Sequence, residues 1–221
     1  MRNKKCAVFD LDGTLINTIT DLGNACEFLI RKYGFCADWS EDDYMRFVGN
    51  GMKKLVERAF KHTLSEGLLN SRLEEFKAFY NEHYLDNTLP YDGVKEQVYA
   101  LKEQGIKTAV VTNKAEDSAV YIIETLFGKG TFDVIIGQRE ELPVKPAPDG
   151  VFIALKEMGC TAEEALYFGD SNVDMQTAKN AGIDAVGVTW GYRSREELEN
   201  EGALLIIDEP SEISKCFNKA R

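Results

Sequence analysis

The sequence predicts an α/β protein: a doubly wound parallel sheet with a small α-helical domain inserted after its first strand. Three observations carry this prediction. From residue 90 onward, short apolar runs alternate with helical stripes, the pattern of a parallel sheet covered by helices on both faces. Residues 17 to 85 break that alternation, showing helical spacing and no convincing strand. The first apolar run, Ala7-Val8-Phe9, stops at two carboxylates, Asp10 and Asp12, followed by a Gly13-Thr14 turn.

After the first strand, the runs from Ile106 to Thr112, Phe132 to Ile136, Ala165 to Phe168, Ala185 to Thr189 and Ala203 to Ile207 read as buried strands. Val94, Val98 and Leu101 mark one intervening helix, Ala119, Ile122, Ile123 and Leu126 a second, and Phe152, Leu155 and Met158 a third. In the inserted segment, three helical stripes follow one another: Leu22 to Tyr33, Met52 to Phe60, and Leu73 to Tyr80. The expected organisation is a core of residues 1–16 and 86–221 and a helical domain of 17–85. The first strand and the next are much further apart than a crossover requires. The insertion is therefore expected to hang over the strand end that carries Asp10, with hinges at 16–20 and 85–91. Phe76, Phe79 and Tyr80 read as the core of the inserted domain, and His62 and His83 as structural. The stretch from Glu209 to Arg221 reads as a short closing helix.

Composition narrows the function. The chain has 221 residues and a formal net charge of −11, with a pI near 4.8. No basic stripe is present to neutralise a phosphate backbone, which argues against nucleic acid as a partner. No window is apolar for long enough to span a membrane. The basic start, Met1 to Lys5, resembles a signal peptide, but Asp10 and Asp12 interrupt the apolar stretch that would follow. The five cysteines are scattered without a C-x-x-C pair, so reduced thiols in a cytoplasmic protein are expected.

Four strand ends carry polar groups of complementary kinds. They are Asp10-Leu11-Asp12-Gly13-Thr14, Thr112-Asn113-Lys114, Lys145-Pro146, and Gly169-Asp170-Ser171-Asn172-Val173-Asp174. In an open parallel sheet, ligands bind beyond the carboxyl ends of the strands. Acids that can hold a hard cation, a hydroxyl and a lysine suit phosphoryl transfer. Asp10 and Asp170, with the backbone carbonyl of Asp12, are candidate ligands for Mg2+, and Asp174 is a candidate to orient them. Asp10 leaves the strand first and is the candidate nucleophile. Asp12 is the candidate acid and base. Thr112 is expected to orient phosphoryl oxygens and Lys145 to neutralise charge. Read singly, each motif has a plainer explanation: Lys145 is a loop lysine, Ser171 a helix cap, and Gly49-Asn50-Gly51 a turn.

Taken together and in this order, the four segments resemble the four motifs of the haloacid dehalogenase superfamily. The helical insertion looks like that superfamily's C1-type cap. The resemblance implies a Rossmann-like core and magnesium-dependent hydrolysis through an aspartyl-phosphate. It implies Asp10 as nucleophile, Asp12 as acid and base, Thr112 and Asn113 as phosphate contacts, Lys145 as charge clamp and Asp170 as metal ligand. The acid at Asp12 sets the chain apart from dehalogenases and phosphonoacetaldehyde hydrolases. Phe47 to Ala59, Lys145-Pro146-Ala147-Pro148-Asp149 and Val188 to Ser194 are similar to phosphoglycolate phosphatases. Tyr91-Asp92-Gly93 and Asn17-Thr18 depart from the Tyr-Pro-Gly and Asp-Ser common among relatives. A small phosphorylated metabolite is the expected substrate, with 2-phosphoglycolate first and Gly49, Asn50 and Gly51 as a candidate substrate loop. Inorganic pyrophosphatase, nucleotidase and β-phosphoglucomutase-like transfer are the enzyme alternatives. A phospho-aspartate regulatory module is the non-enzyme alternative. A monomer or weak homodimer is expected.

Overall fold

Cys6–Phe9 forms β1, and all four of its residues are shielded from solvent, with strands along both edges and side chains packed on both faces. A strand buried on both faces reads as an unbroken apolar run rather than an alternating one, as Cys-Ala-Val-Phe does. The computed structural model describes residues 3–217. The chain forms two units, Met1–Ile16 with Pro90–Arg221, and Asn17–Leu89.

The chain passes between the units at β2 (Ile16–Asn17) and β3 (Leu89–Pro90), which pair as a two-stranded sheet. The second unit contains α1 (Ile19–Lys32), α2 (Glu41–Phe47), α3 (Met52–Ala59) and α4 (Glu66–His83). Phe76 and Tyr80 of α4 are buried and stacked 5.7 Å apart. Phe79 is half-buried and stacks on Phe28 of α1 instead. His83 pairs with Asp86 at 2.8 Å. Ser40 caps α2 through a reciprocal box with Asp43, which satisfies amides that the first turn leaves without partners.

The first unit continues with α5 (Val94–Glu103), β4 (Lys107–Ala115), α6 (Glu116–Phe127), β5 (Val134–Gln138) and α7 (Asp149–Met158). It closes with β6 (Ala165–Gly169), α8 (Asn172–Ala181), β7 (Asp184–Val188), α9 (Arg195–Asn200) and β8 (Leu205–Ile207). The six long strands form one parallel sheet in the order β5-β4-β1-β6-β7-β8. On one face, Val8, Val111, Ile136 and Tyr167 pack with Val151, Leu155, Met175 and Ala178 of α7 and α8. On the other, Phe9 stacks on Phe168 at 4.9 Å and meets Phe132 edge-on. The chain moves to one side of β1 to form β4 and β5, then to the other to form β6. The polar strand ends therefore gather around the end of β1.

Two expectations need correction. The closing helix resolves into two short 3-10 turns, Pro210–Glu212 and Ser214–Phe217. Its last four positions, like Met1 and Arg2, lie outside the described residues. The cysteines are not all reduced, because Cys6 and Cys160 are joined in a disulfide with their Cα atoms 6.7 Å apart. Their separation of 154 residues hid the pairing, which arises because Cys160 lies on the approach to β6, beside β1. Cys26, Cys36 and Cys216 are free.

Candidate active site

The backbone N–H of Asp10 donates to the carbonyl of Phe168 at 2.9 Å, extending the β1–β6 ladder by one step. This places Asp10 beside Gly169 and Asp170. The loop after it is tight: the Leu11 carbonyl accepts from Thr14, Leu15 and Ile16, and the Gly13 N–H donates to the Ile16 carbonyl. Gly13 takes φ +92°, a left-handed conformation that suits glycine. A Cβ at Gly13 would also overlap the Asp170 carboxylate, and one at Gly191 would overlap Asp170 and the Gly13 carbonyl. The backbone thus closes directly over Asp170.

Asp10, Asp170 and Asp174 are all buried, and each brings one carboxylate oxygen within 4.8 Å of the others. Lys145 lies among them, with Nζ 2.7 Å from both Asp10 Oδ1 and Asp174 Oδ1. Its backbone is held by Asn113, whose Oδ1 accepts the Lys145 N–H at 2.8 Å and whose Nδ2 donates to the Lys145 carbonyl at 3.2 Å. The Lys145–Pro146 peptide is cis.

The contacts distinguish the three acids. Asp174 Oδ1 accepts from Lys145 and from the Tyr167 hydroxyl at 3.1 Å, while Oδ2 accepts from the Ser171 N–H and hydroxyl. Four donors fill a carboxylate's capacity. Asp170 accepts the Thr14 hydroxyl on Oδ1 at 3.0 Å and the Tyr192 N–H on Oδ2 at 2.8 Å. Asp10 takes Lys145 on Oδ1. A hard cation here would find its oxygens on Asp10 and Asp170, with Asp174 fixing the lysine and the start of α8.

Burial and like charge set the electrostatics. Burial first, and then the neighbouring Asp174, push the Asp170 carboxyl up to about 7. The same causes, in the same order, hold Asp10 well above the usual carboxylate range against the pull of Lys145. Burial works against the charge on Lys145, but Asp10 and Asp174 outweigh it and raise its ammonium above the ordinary lysine value. Ionised together, three acids around one buried cation would carry an excess of negative charge, which fits a divalent metal with oxygen ligands.

The structure brings Asp10, Lys145, Asp170 and Asp174 together, with Asn113 bracing the lysine loop. Asp12 stands apart from the carboxylate cluster: its Oδ1 accepts from Lys114 Nζ at 2.9 Å. The Thr112 hydroxyl accepts the Lys114 N–H at 3.1 Å. Gly49, Asn50 and Gly51 lie in the helical unit, where Arg58 donates to Asn50 Oδ1 and to the Phe47 carbonyl. Sequence reasoning gave no role to Lys114, Tyr167, Thr14 or Tyr192. Tyr167 did leave a signal, because a hydroxyl in an otherwise apolar strand needs a buried partner.

The family model described as haloacid dehalogenase-like hydrolase matches residues 7–188. The chain is 33% identical over 222 residues to a phosphoglycolate phosphatase of Colwellia psychrerythraea, covering 96% of each chain. It is 32% identical to one from Aquifex aeolicus over 96% of this chain and 95% of that one. A crystal structure from Lactobacillus delbrueckii, put forward as a phosphoglycolate phosphatase, superposes with a TM-score of 0.91 at 31% identity, covering 97% of this chain and 98% of that one.

Proposed function

We propose that this chain, a phosphatase that belongs to the haloacid dehalogenase-like hydrolases, hydrolyses a small phosphorylated metabolite through a phosphoryl group carried on Asp10. The observation that carries this reading is the buried group of Asp10, Asp170, Asp174 and Lys145 at the ends of β1 and β6. The phosphoglycolate phosphatases among its relatives make 2-phosphoglycolate the first substrate to test.

In this mechanism, an Asp10 oxygen attacks phosphorus while the bond to the leaving oxygen breaks. Asp12 gives its proton to that oxygen. It then takes one from the water that displaces phosphate from Asp10. The Thr112 hydroxyl and nearby backbone amides orient the phosphoryl oxygens, and Lys145 offsets the charge that develops on them. Asp10 and Asp170, with the Asp12 carbonyl, would hold Mg2+, which when bound neutralises phosphate charge and favours the ionised form of both acids. Asp174 acts through Lys145 and the α8 terminus rather than on substrate. We assign the Gly49–Gly51 loop, braced by Arg58, to substrate choice.

The test is phosphate release from a panel of 2-phosphoglycolate, sugar phosphates, nucleotides and pyrophosphate, with Mg2+ or with chelator. One Mg2+-dependent substrate is expected to dominate, and Asp10→Asn should lower its turnover by roughly 10³-fold or more. Full activity in Asp10→Asn would overturn the mechanism, and dominance by pyrophosphate would overturn the substrate class.

A further inference from the structure

We propose that Lys114 is a positioning residue for proton transfer at Asp12, a role that rests on the phosphatase reading above. Lys114 lies where β4 continues past Thr112 in a shifted register against β5. It is buried, between half-buried Asn113 and exposed Ala115. Its side chain is 3% exposed, that of Asp12 is 16% exposed, and Nζ reaches Asp12 Oδ1 at 2.9 Å. Its backbone N–H is tied to the Thr112 hydroxyl. A buried ammonium is costly unless paired, so this lysine fixes the acid opposite it as firmly as the acid fixes the lysine.

Two buried lysines divide the site. Lys145 serves Asp10 and Asp174, and Lys114 serves Asp12, which lies outside the carboxylate cluster. A single ammonium on Oδ1 leaves the other oxygen of that carboxylate to exchange the proton. In the first half-reaction, the Asp10–phosphorus bond forms, the bond to the leaving oxygen breaks, and the proton of Asp12 passes to that oxygen. In the second, water loses a proton to Asp12 as its oxygen bonds to phosphorus and Asp10 departs, restoring the starting state. Lys114 keeps its charge throughout. A proton donor must stay within hydrogen-bond reach of the atom it serves, and a small displacement is expensive in rate.

The experiment compares kcat/KM of wild type and Lys114→Met, with Mg2+, on 2-phosphoglycolate and on 4-nitrophenyl phosphate. The first expels an alkoxide that needs a proton, and the second a phenolate that leaves without one. Because kcat/KM covers only the steps up to phosphorylation of Asp10, later hydrolysis does not blur the comparison. The loss is expected to be at least tenfold greater for the alkyl ester. Lys114→Arg should recover the alkyl activity, and adding Lys114→Met to Asp12→Asn should lower it no further. Equal loss on both esters, or a gain on the alkyl ester, would overturn the proposal. If circular dichroism shows Lys114→Met unfolded, Lys114→Gln takes its place in the same comparison. Wild type that releases phosphate from neither ester would instead sink the phosphatase reading on which the proposal stands.

Discussion

Asp170 accepts a hydrogen bond on each oxygen, from Thr14 and Tyr192, and it sits under a backbone that only glycine permits at position 13. Gly13→Ala would impose two penalties. The left-handed φ costs a side-chain-bearing residue about 1–2 kcal/mol, and the new methyl would displace the Asp170 carboxylate. The displacement matters more, because it moves an oxygen that the proposed Mg2+ site would use. Gly13→Ala is therefore expected to stay folded yet bind Mg2+ at least tenfold more weakly by calorimetry, with activity falling in parallel. Unchanged Mg2+ affinity would show that Asp170 is not a ligand. The same residue shows what the sequence discloses at this scale. Asp10, Asp170 and Asp174 were legible because each follows an apolar run or opens the next helix, whereas Lys145 stood out only by its place in order between the other motifs. The pairing of Lys114 with Asp12 was not, since it joins residues 102 apart and depends on how β4 registers against its neighbours.

At the scale of elements, a heavily bonded acid outside the candidate site is Asp21, in the first turn of α1. Its carboxylate accepts from the N–H and Nδ2 of Asn87 and from the N–H and hydroxyl of Thr88. The contact ties α1 to the segment that follows α4 and shields Asp21 from solvent. Asp21→Ala would orphan the two buried donors of Thr88, its N–H and its hydroxyl, each worth about 1–3 kcal/mol. The expected result is a fall of about 2–4 kcal/mol in unfolding free energy, with faster protease cleavage between residues 17 and 89. Cleavage confined to the other unit would contradict it. The stripes of α1, α3 and α4 were readable from spacing alone, but the short α2 and this buried tie were not, because nothing local marks Asp21 as different from a surface acid. Strand ends slipped for a related reason. The sequence reading stops β4 at Thr112, where apolar residues end, whereas the strand runs to Ala115 because Asn113 and Lys114 find tertiary partners. The last strand starts at Leu205 rather than Ala203, since the Ala203 and Leu204 amides bond to Leu198 and Ala185 in the turn that leads into it.

For the whole molecule, the crowded acids make stability depend on pH and on metal together. Without a cation, folding lifts Asp170 to about 7 through burial and the nearby Asp174, and Asp10 also rises. The folded state then holds protons that the unfolded chain has already released. Stability must fall as pH rises through about 7, by up to ~1.4 kcal/mol per pH unit for each such carboxylate. Lys145 does not reverse the sign in this range, because its raised value lies above it. Mg2+ binds the deprotonated acids, so its binding should release protons and tighten with pH over the same interval. Chelated protein is therefore expected to lose melting temperature steadily between pH 5.5 and 8. At a hundredfold excess over its Kd, Mg2+ should add about 2.7 kcal/mol, or about 5–10 °C for a chain of this size. At one fixed Mg2+ concentration the gain should be larger at pH 8 than at pH 5.5, because the Kd falls. Thermal unfolding at both pH values, with chelator and with Mg2+, tests all of this in one set of scans. A chelated protein that grows more stable from pH 5.5 to 8, or a Mg2+ effect that shrinks, would mean that Asp10 and Asp170 are not the buried acids that folding forces together.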